Sequence, residues 1–350
     1  MKKPGRIILS GRLPAVSRLA LGSLTVSALQ AGLPEKEASE IIAYAFSCGI
    51  NFIDTAQYYS NYTLIRNALK LCPDPCDIVI STKTYAYSRE LAAEAVEEAR
   101  RMLDRDVIDI FLLHEQESYE TMKGHREAYE YLLECREKGI IRAVGASTHH
   151  ISLVKGLVRL KAEGIPVDIC HPLYNMRGIG IADGGEEEMA AALKELHSSG
   201  TGIFAMKALA GGHLSASPEE ALGFVLSKPY IDAVAVGMQS REEVDANVRF
   251  IVKGSFSKTD RKKLAGKKRA LHVEEFCEGC GACVRRCASG ALSLEEVTGE
   301  KEDIHGDFSS DFDITTRAGK KIFRAKADDS KCVRCGYCTK VCPVFALKIY

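Results

Sequence analysis

The run Val107-Ile-Asp-Ile-Phe-Leu-Leu-His114 decides the fold. Apart from Asp109 and the closing His114 every residue in it is apolar, with no polar alternation. Such a strand is covered on both faces, as in a parallel sheet wrapped by helices. Working outward, Ser88 to Met102 upstream carries helical spacing. Before it lies Ile78-Val-Ile-Ser-Thr-Lys83, a strand entered from a Pro/Asp turn. Downstream, Ile141-Arg-Ala-Val-Gly145 is the next strand. The same alternation continues in both directions. Towards the N-terminus come Asn51-Phe-Ile-Asp54 and the helix Glu35 to Cys48, closed by Gly49. That helix has Ala38, Ile41, Ile42, Ala45 and Phe46 on one face, and Leu19-Ala-Leu-Gly22 precedes it. Towards the C-terminus come Val167-Asp-Ile-Cys170, Gly202-Ile-Phe-Ala205 and Ala233-Val-Ala-Val-Gly237. Eight strand–helix units in about 230 residues predict an α/β fold, a closed (β/α)8 TIM barrel. The alternative is a doubly wound open sheet, but no G-x-G-x-x-G follows the first strand.

Beyond the barrel, eight of the 13 cysteines form two copies of C-x2-C-x2-C-x3-C, offset by 55 residues. Cys277, Cys280, Cys283 and Cys287 are the first run; Cys332, Cys335, Cys338 and Cys342 are the second. Thiolates in this pattern hold cubane iron–sulfur clusters, and the fourth cysteine of each run reaches the other cluster. The expected ligand sets are Cys277, Cys280, Cys283 and Cys342 for one [4Fe–4S] centre. Cys332, Cys335, Cys338 and Cys287 serve the second. Zinc and disulfides are the alternatives. Structural zinc takes separated pairs of cysteines, and disulfides belong to oxidising compartments. The stretch from about 275 to 350 resembles the bacterial two-cluster ferredoxins, which implies a small α+β domain. It departs from them at Ala288, where a proline usually follows the fourth cysteine, and in the long segment from Ala288 to Lys331, expected to be a hairpin excursion. Cys48, Cys72, Cys76, Cys135 and Cys170 show no ligand spacing, and most are expected as small buried or half-buried hydrophobes.

In a barrel, chemistry sits where strands end and loops begin. Asp54 ends the second predicted strand, with Tyr59 five residues on; Lys83 ends the third and His114 the fourth. One tyrosine or histidine at a strand end is ordinarily structural. Together a carboxylate, an ammonium, a phenol and an imidazole make a proton-transfer device. Lys83 beside Tyr59 is expected to favour the phenolate and lower its pKa, with Asp54 fixing the lysine. The phenol would protonate a developing alkoxide, and His114 would orient the carbonyl oxygen.

These residues resemble the aldo-keto reductase family. The resemblance is carried by Gly49-Ile-Asn-Phe-Ile-Asp-Thr-Ala-Gln-Tyr-Tyr59, Ser81-Thr-Lys83, Leu112-Leu-His114, Gly145-Ala-Ser147, Tyr174-Asn175, and Gly237 with Asn247. It covers about 15–250. It implies a catalytic tetrad of Asp54, Tyr59, Lys83 and His114, and NAD(H) or NADP(H) bound across the barrel mouth. The implied cofactor contacts are Gly22, Ser147, Thr148, His171, Met206, Lys207, Gly237 and Asn247. Five positions depart from the family pattern. His171 replaces a glutamine and Met206 an aromatic; Lys207-Ala208 replace Ser-Pro, and Glu243 stands where an arginine for a 2′-phosphate is common.

The sequence has 350 residues and 46% hydrophobic content, enough for one large core plus a small module. The expected domains are 1–251, a basic connecting segment 252–274, and 275–350. Val252 to Leu271 holds eight basic residues and one acidic. It reads as a solvated connecting helix of about 15 residues, roughly 22 Å long, or as a docking surface for an acidic partner. The formal net charge of zero gives no case for nucleic acid or an anionic membrane. No apolar stretch approaches the 18 or so residues that span a bilayer. The N-terminus lacks a secretory pattern, so a cytoplasmic protein is expected. Two functional readings stand. One is an oxidoreductase acting on a small carbonyl or alcohol, with electrons moving through the clusters and room for a redox partner protein. The other is an electron-transfer or binding protein whose barrel is a docking or sensing module.

Overall fold

Runs of valine, isoleucine and leucine that face water on neither side must be covered on both, and the chain does this by closing the sheet on itself. The computed structural model describes residues 3–265, 270–297, 322–344 and 346–349. They fall into two compact units, one reaching Lys268 and the other starting at Arg269. In the first, a short antiparallel hairpin of β1 (Arg6–Ile7) and β2 (Val16–Ser17) comes before the barrel. Then follow β3 (Leu19–Gly22), α1 (Glu35–Ser47), β4 (Phe52–Asp54), α2 (Tyr62–Lys70), β5 (Val79–Thr84), α3 (Arg89–Leu103) and β6 (Ile108–Leu113). After these come α4 (Tyr119–Gly124), α5 (Arg126–Glu137), β7 (Ile141–Thr148), α6 (Ile151–Ala162), β8 (Ile169–Pro172) and α7 (Glu186–Ser198). The unit ends with β9 (Gly202–Met206), α8 (Pro218–Leu226), β10 (Ala233–Gly237), α9 (Arg241–Lys253) and α10 (Lys258–Ala265). Strands β3 to β10 form a closed parallel barrel in sequence order, with β10 pairing back onto β3.

Two cores result. One lies between the strands and the helices and is built from such residues as Ile42, Val96, Leu132 and Leu193. The other fills the barrel and contains Phe52, Val79, Ile110, Ile169 and Phe204. Leu9, Leu13 and Val16 of the hairpin region belong to that inner core, so the segment before the first barrel strand plugs one end. Side chains alternate along a strand with period two. The inward series that starts at Phe52, Val79, Ile110 and Ile169 therefore continues at Asp54, Lys83, His114 and His171. Residue order thus carries polar groups from the apolar interior to the strands' C-terminal ends.

β8 begins two residues later than the apolar run predicts. Asp168 bonds sideways instead: its carboxylate accepts the Val144 N–H at 3.0 Å and pairs with Arg136. Pro172 and His171 therefore belong to the strand. The described part of the expected connecting helix is α10. α10 has eight residues, and residues 266–269 lie outside those described. It docks on its own unit, through Arg249 to Asp260 at 2.6 Å and Arg261 to Glu219 at 2.8 Å.

The second unit contains β11 (Leu271–Val273), α11 (Ala282–Arg286), β12 (Leu292–Val297), β13 (Ile322–Ala327), α12 (Tyr337–Lys340) and β14 (Leu347–Ile349). β11 pairs with β14 and β12 with β13, both antiparallel. The repeat survives in three dimensions: α11 and α12 start one offset apart, as do β12 and β14. Each helix follows a glycine in the left-handed region, Gly281 at φ 73° and Gly336 at φ 76°. β12 and β13 pair as the two sides of the expected hairpin; residues 298–321 lie outside those described. Among the described residues no helix is long and apolar enough to cross a membrane.

Candidate active site and cysteine-lined hollows

Asp54, Lys83 and His114 are buried at 5%, 1% and 3% exposure, and Tyr59 at 8%. Lys83 comes up the inside of the barrel and donates to both Asp54 oxygens, at 2.7 and 2.8 Å, and to the Thr55 carbonyl at 2.7 Å. A buried ammonium is tolerated only with such compensation. Lys83 and His171 hold the Asp54 carboxyl well below the usual carboxylate range, against the opposing effect of burial, which is the largest single influence. Tyr59 sits on a short 3-10 turn, Gln57–Tyr59. The Lys83 ammonium lies 5.4 Å from its ring centroid. The His114 ring meets the Tyr59 ring edge-on at 5.7 Å. The four residues expected to converge do so.

The expected direction of the Tyr59 shift is overturned. Its phenol is pushed well above the ordinary tyrosine value, first by burial, then by the charges of Asp54 and Glu115 and by Tyr85. The lysine's field is matched by the carboxylate it holds. Tyr59 is therefore a protonated phenol, an acid in waiting rather than a phenolate.

Two neighbours of the site were not singled out from the sequence. Glu115 follows His114 with its backbone in the left-handed region, φ 46°. Its carboxylate accepts the Tyr85 hydroxyl at 2.7 Å and lies 3.8 Å from His149 Nε2. Tyr85 stacks on His114 with centroids 4.4 Å apart and touches Tyr58 edge-on at 6.0 Å. Both tyrosines are exposed, at 43% and 41%, so an aromatic rim stands beside the tetrad. The only signal in the sequence was the density of tyrosines at 58, 59, 85 and 87.

The positions implied as nucleotide contacts are mostly engaged within the protein. Ser147 Oγ accepts the Glu115 N–H at 2.9 Å; Thr148 Oγ1 donates to the Gln116 carbonyl at 2.7 Å and accepts the His150 N–H at 2.8 Å. Both hydroxyls thus hold the loop that carries His114. Asn247 donates to the Glu243 carbonyl at 2.8 Å. Glu243, only 9% exposed, accepts the Gln239 N–H at 2.7 Å at the start of α9. Gly22 and Gly237 face each other across β3 and β10, and a Cβ on Gly237 would lie 2.1 Å from the Thr25 methyl. Met206 ends β9, and Lys207 beyond it takes a left-handed backbone, φ 58°. His171 is fully buried at 1% and faces Asp54, not the solvent.

In the second unit, Cys277, Cys280, Cys283 and Cys342 line a hollow of about 290 Å³. Cys287, Cys332, Cys335 and Cys338 line another of about 330 Å³. Three cysteines of one run and the last of the other surround each, the grouping that crossed ligation requires. Backbone N–H groups donate to three of the sulfurs: Ala346 to Cys342 at 3.2 Å, Ala291 to Cys287 at 3.3 Å, and Ala325 to Cys277 at 3.5 Å. Such donors suit sulfurs that carry negative charge. The residues present therefore fit two cubane clusters. Of the five remaining cysteines, Cys135 and Cys170 are buried and Cys48 and Cys72 half-buried, as expected of most of them; Cys76 is exposed, in the 3-10 turn Pro75–Asp77.

The chain thus combines a closed parallel barrel, with a buried ion pair, a phenol and an imidazole at its strand ends, and a second unit with two cysteine-ringed hollows. A profile described as the aldo/keto reductase family matches residues 18–221, and the chain belongs to that family. A profile described as a 4Fe-4S dicluster domain matches residues 276–346, and the chain carries that domain at its C-terminal end.

Methylglyoxal reductase DkgA of Yersinia pestis is 26% identical over 184 residues, covering 50% of this chain and 63% of that protein. An aldo-keto reductase of Mycolicibacterium paratuberculosis is 29% identical over 120 residues, 33% of this chain and 41% of that one. L-Galactose dehydrogenase of Arabidopsis thaliana is 22% identical over 266 residues, 67% and 83%. The chain thus spans less than two thirds of the first two relatives. Among solved structures, an aldo-keto reductase of Pseudomonas aeruginosa superposes with a TM-score of 0.60 at 24% identity, over 71% of this chain and 95% of that one. A holo-form aldo-keto reductase of Bacillus halodurans gives 0.59 at 22%, over 75% and 95%. Both are likenesses of fold.

Proposed function

We propose that the barrel reduces a small carbonyl compound, or runs the reverse reaction, with Tyr59 as the proton donor and a nicotinamide nucleotide as partner. The observation that carries this reading is the phenol of Tyr59 held beside His114 over the buried Asp54–Lys83 pair. When bound, the nucleotide supplies hydride to the carbonyl carbon. His114 hydrogen-bonds the carbonyl oxygen and aims it at Tyr59. The phenol gives its proton to that oxygen as negative charge develops, so the C=O bond becomes CH–OH. Lys83, steadied by Asp54, stabilises the phenolate left behind. The aromatic rim of Tyr58 and Tyr85 shields the reacting atoms from water. Methylglyoxal, the substrate in the name of one relative, is a reasonable first probe.

Cys277, Cys280, Cys283 and Cys342 would hold one cluster, and Cys332, Cys335, Cys338 and Cys287 the other; bound clusters supply electrons one at a time. The thiolates and their N–H donors set how readily that charge is held. Hydride moves electrons in pairs, so coupling to single-electron centres calls for a redox partner or a carrier that splits the pair.

NADH is expected to bind at least as well as NADPH, since Glu243 sets a carboxylate near the start of α9; Arg241 is the opposing cation there. Dissociation constants compared by fluorescence at fixed salt test this. A tenfold preference for NADPH, about 1.4 kcal/mol, would refute it.

The internal engagement of Ser147, Thr148, His171 and Asn247 favours the second reading, in which the barrel docks or senses without hydride chemistry. Anaerobic titration of reconstituted protein with NADH, NADPH and dithionite separates the two. Bleaching of the clusters by a nicotinamide supports the enzyme and communication between its parts. Neither binding nor bleaching, together with no reduction of methylglyoxal, favours the docking module.

A further inference from the structure

Beneath the tetrad lies a group that the proposed reaction does not use. The His171 ring is stacked flat on Phe204, centroids 3.9 Å apart and planes at 15°. Its Nδ1 is 2.6 Å from the Phe204 carbonyl oxygen. A carbonyl only accepts, so Nδ1 must carry a hydrogen. That fixes the tautomer and turns Nε2 towards Asp54, whose Oδ2 is 3.5 Å away. The other side of the same carboxylate is held by Lys83. If neutral, Nε2 would present a lone pair to an ionised carboxylate, and two acceptors repel. One proton between them turns the contact into an attraction.

We propose that His171 is a positioning residue for the tetrad: anchored on the Phe204 carbonyl, it shares a proton site with Asp54 and so controls how firmly that carboxylate holds Lys83. With the proton present, Asp54 has donors on both sides. With it absent, Asp54 leans on Lys83 alone. The charged groups that face His171 are Asp54 from β4 and Lys83 from β5. β7 offers Ser147, its register partner, and β9 only the Phe204 ring and carbonyl. Burial, the largest influence, lowers the ring's proton affinity and Lys83 adds to that; Asp54 and the Phe204 carbonyl oppose, and the net shift is downward. The proton therefore enters on the acid side of the ordinary imidazole value, near 6.5. The positioning role rests on reading Asp54 and Lys83 as the support of Tyr59; the shared proton site does not.

The test is 15N NMR of the full chain with its clusters oxidised and its nine histidines labelled. His171→Gln identifies the signal by its loss. The expected result is a slowly exchanging Nδ1–H, and an Nε2 resonance that moves when Asp54→Asn is introduced. A bare Nδ1, or an Nε2 signal indifferent to Asp54→Asn, overturns the proposal. Should either variant fail to fold, the wild-type chain decides by titration from pH 8 downward. One imidazole must gain its second proton at Nε2 below about 6.5 while Nδ1 stays protonated throughout; no such ring overturns the assignment. No substrate is present, so the outcome is independent of carbonyl reduction, which Tyr59→Phe tests separately.

Discussion

Tyr59 shows how much a side chain's chemistry depends on the charges around it. Spacing alone suggests a phenol activated by a lysine. In the folded chain the lysine's charge is shared with Asp54, while Glu115 and burial oppose ionisation. The neutral acid exists below its pKa, and raising that pKa extends its range upward. The basic limb of the pH profile for carbonyl reduction is therefore expected above the ordinary tyrosine value of about 10. A limb near pH 7 to 8 assigned to Tyr59 would contradict this. Glu115→Gln removes one of the negative charges and should move that limb downward, with the fold unchanged by circular dichroism. Tyr59→Phe should lower reduction by roughly 10²–10⁴-fold and leave nucleotide affinity nearly intact; near-normal turnover would sink the tetrad. Asp54, Tyr59, Lys83 and His114 were legible in the sequence because strand ends and a five-residue gap mark them. The sign of the tyrosine shift was not, because its largest cause is burial, followed by the charges of Asp54 and Glu115, and these follow from the folded packing rather than from spacing. His171 could have been placed by counting two residues on from Ile169 along the inward face, but its partner at Phe204 lies on another strand.

At the scale of elements, the eight barrel strands were legible because each is a short continuous apolar run. The hairpin of β1 and β2 was not, since its two-residue strands carry too little pattern. Its importance lies in packing. The Leu9 carbonyl sits so close to Gly202 that a built Cβ would be 2.0 Å from it. Gly202→Ala should therefore displace the plug, at a cost of about 1–3 kcal/mol, seen as a lower midpoint in thermal unfolding. An unchanged midpoint would show that the hairpin shifts freely. The docking of α10 was not legible either, because a basic run resembles a solvated helix, whereas Asp260 bonds the start of the helix back to Arg249.

For the molecule as a whole, the two cysteine runs predict a composition: about eight iron and eight labile sulfides per chain after anaerobic reconstitution, two cubanes with four of each. Zinc in their place would refute it. Cys342→Ala should disturb the centre ringed by Cys277, Cys280 and Cys283, detectable by electron paramagnetic resonance of the reduced protein. Loss of the centre ringed by Cys332, Cys335 and Cys338 instead would show uncrossed ligation. The crossed lining of the two hollows also has a consequence in time. As the polypeptide leaves the ribosome, Cys277, Cys280 and Cys283 emerge first, yet their fourth thiol is Cys342 of the later run. The centre ringed by Cys277, Cys280 and Cys283 therefore cannot be closed on a nascent chain until Cys342 is free, whereas the other needs nothing later than Cys338, so a chain that stops between Cys338 and Cys342 should complete the second centre and not the first.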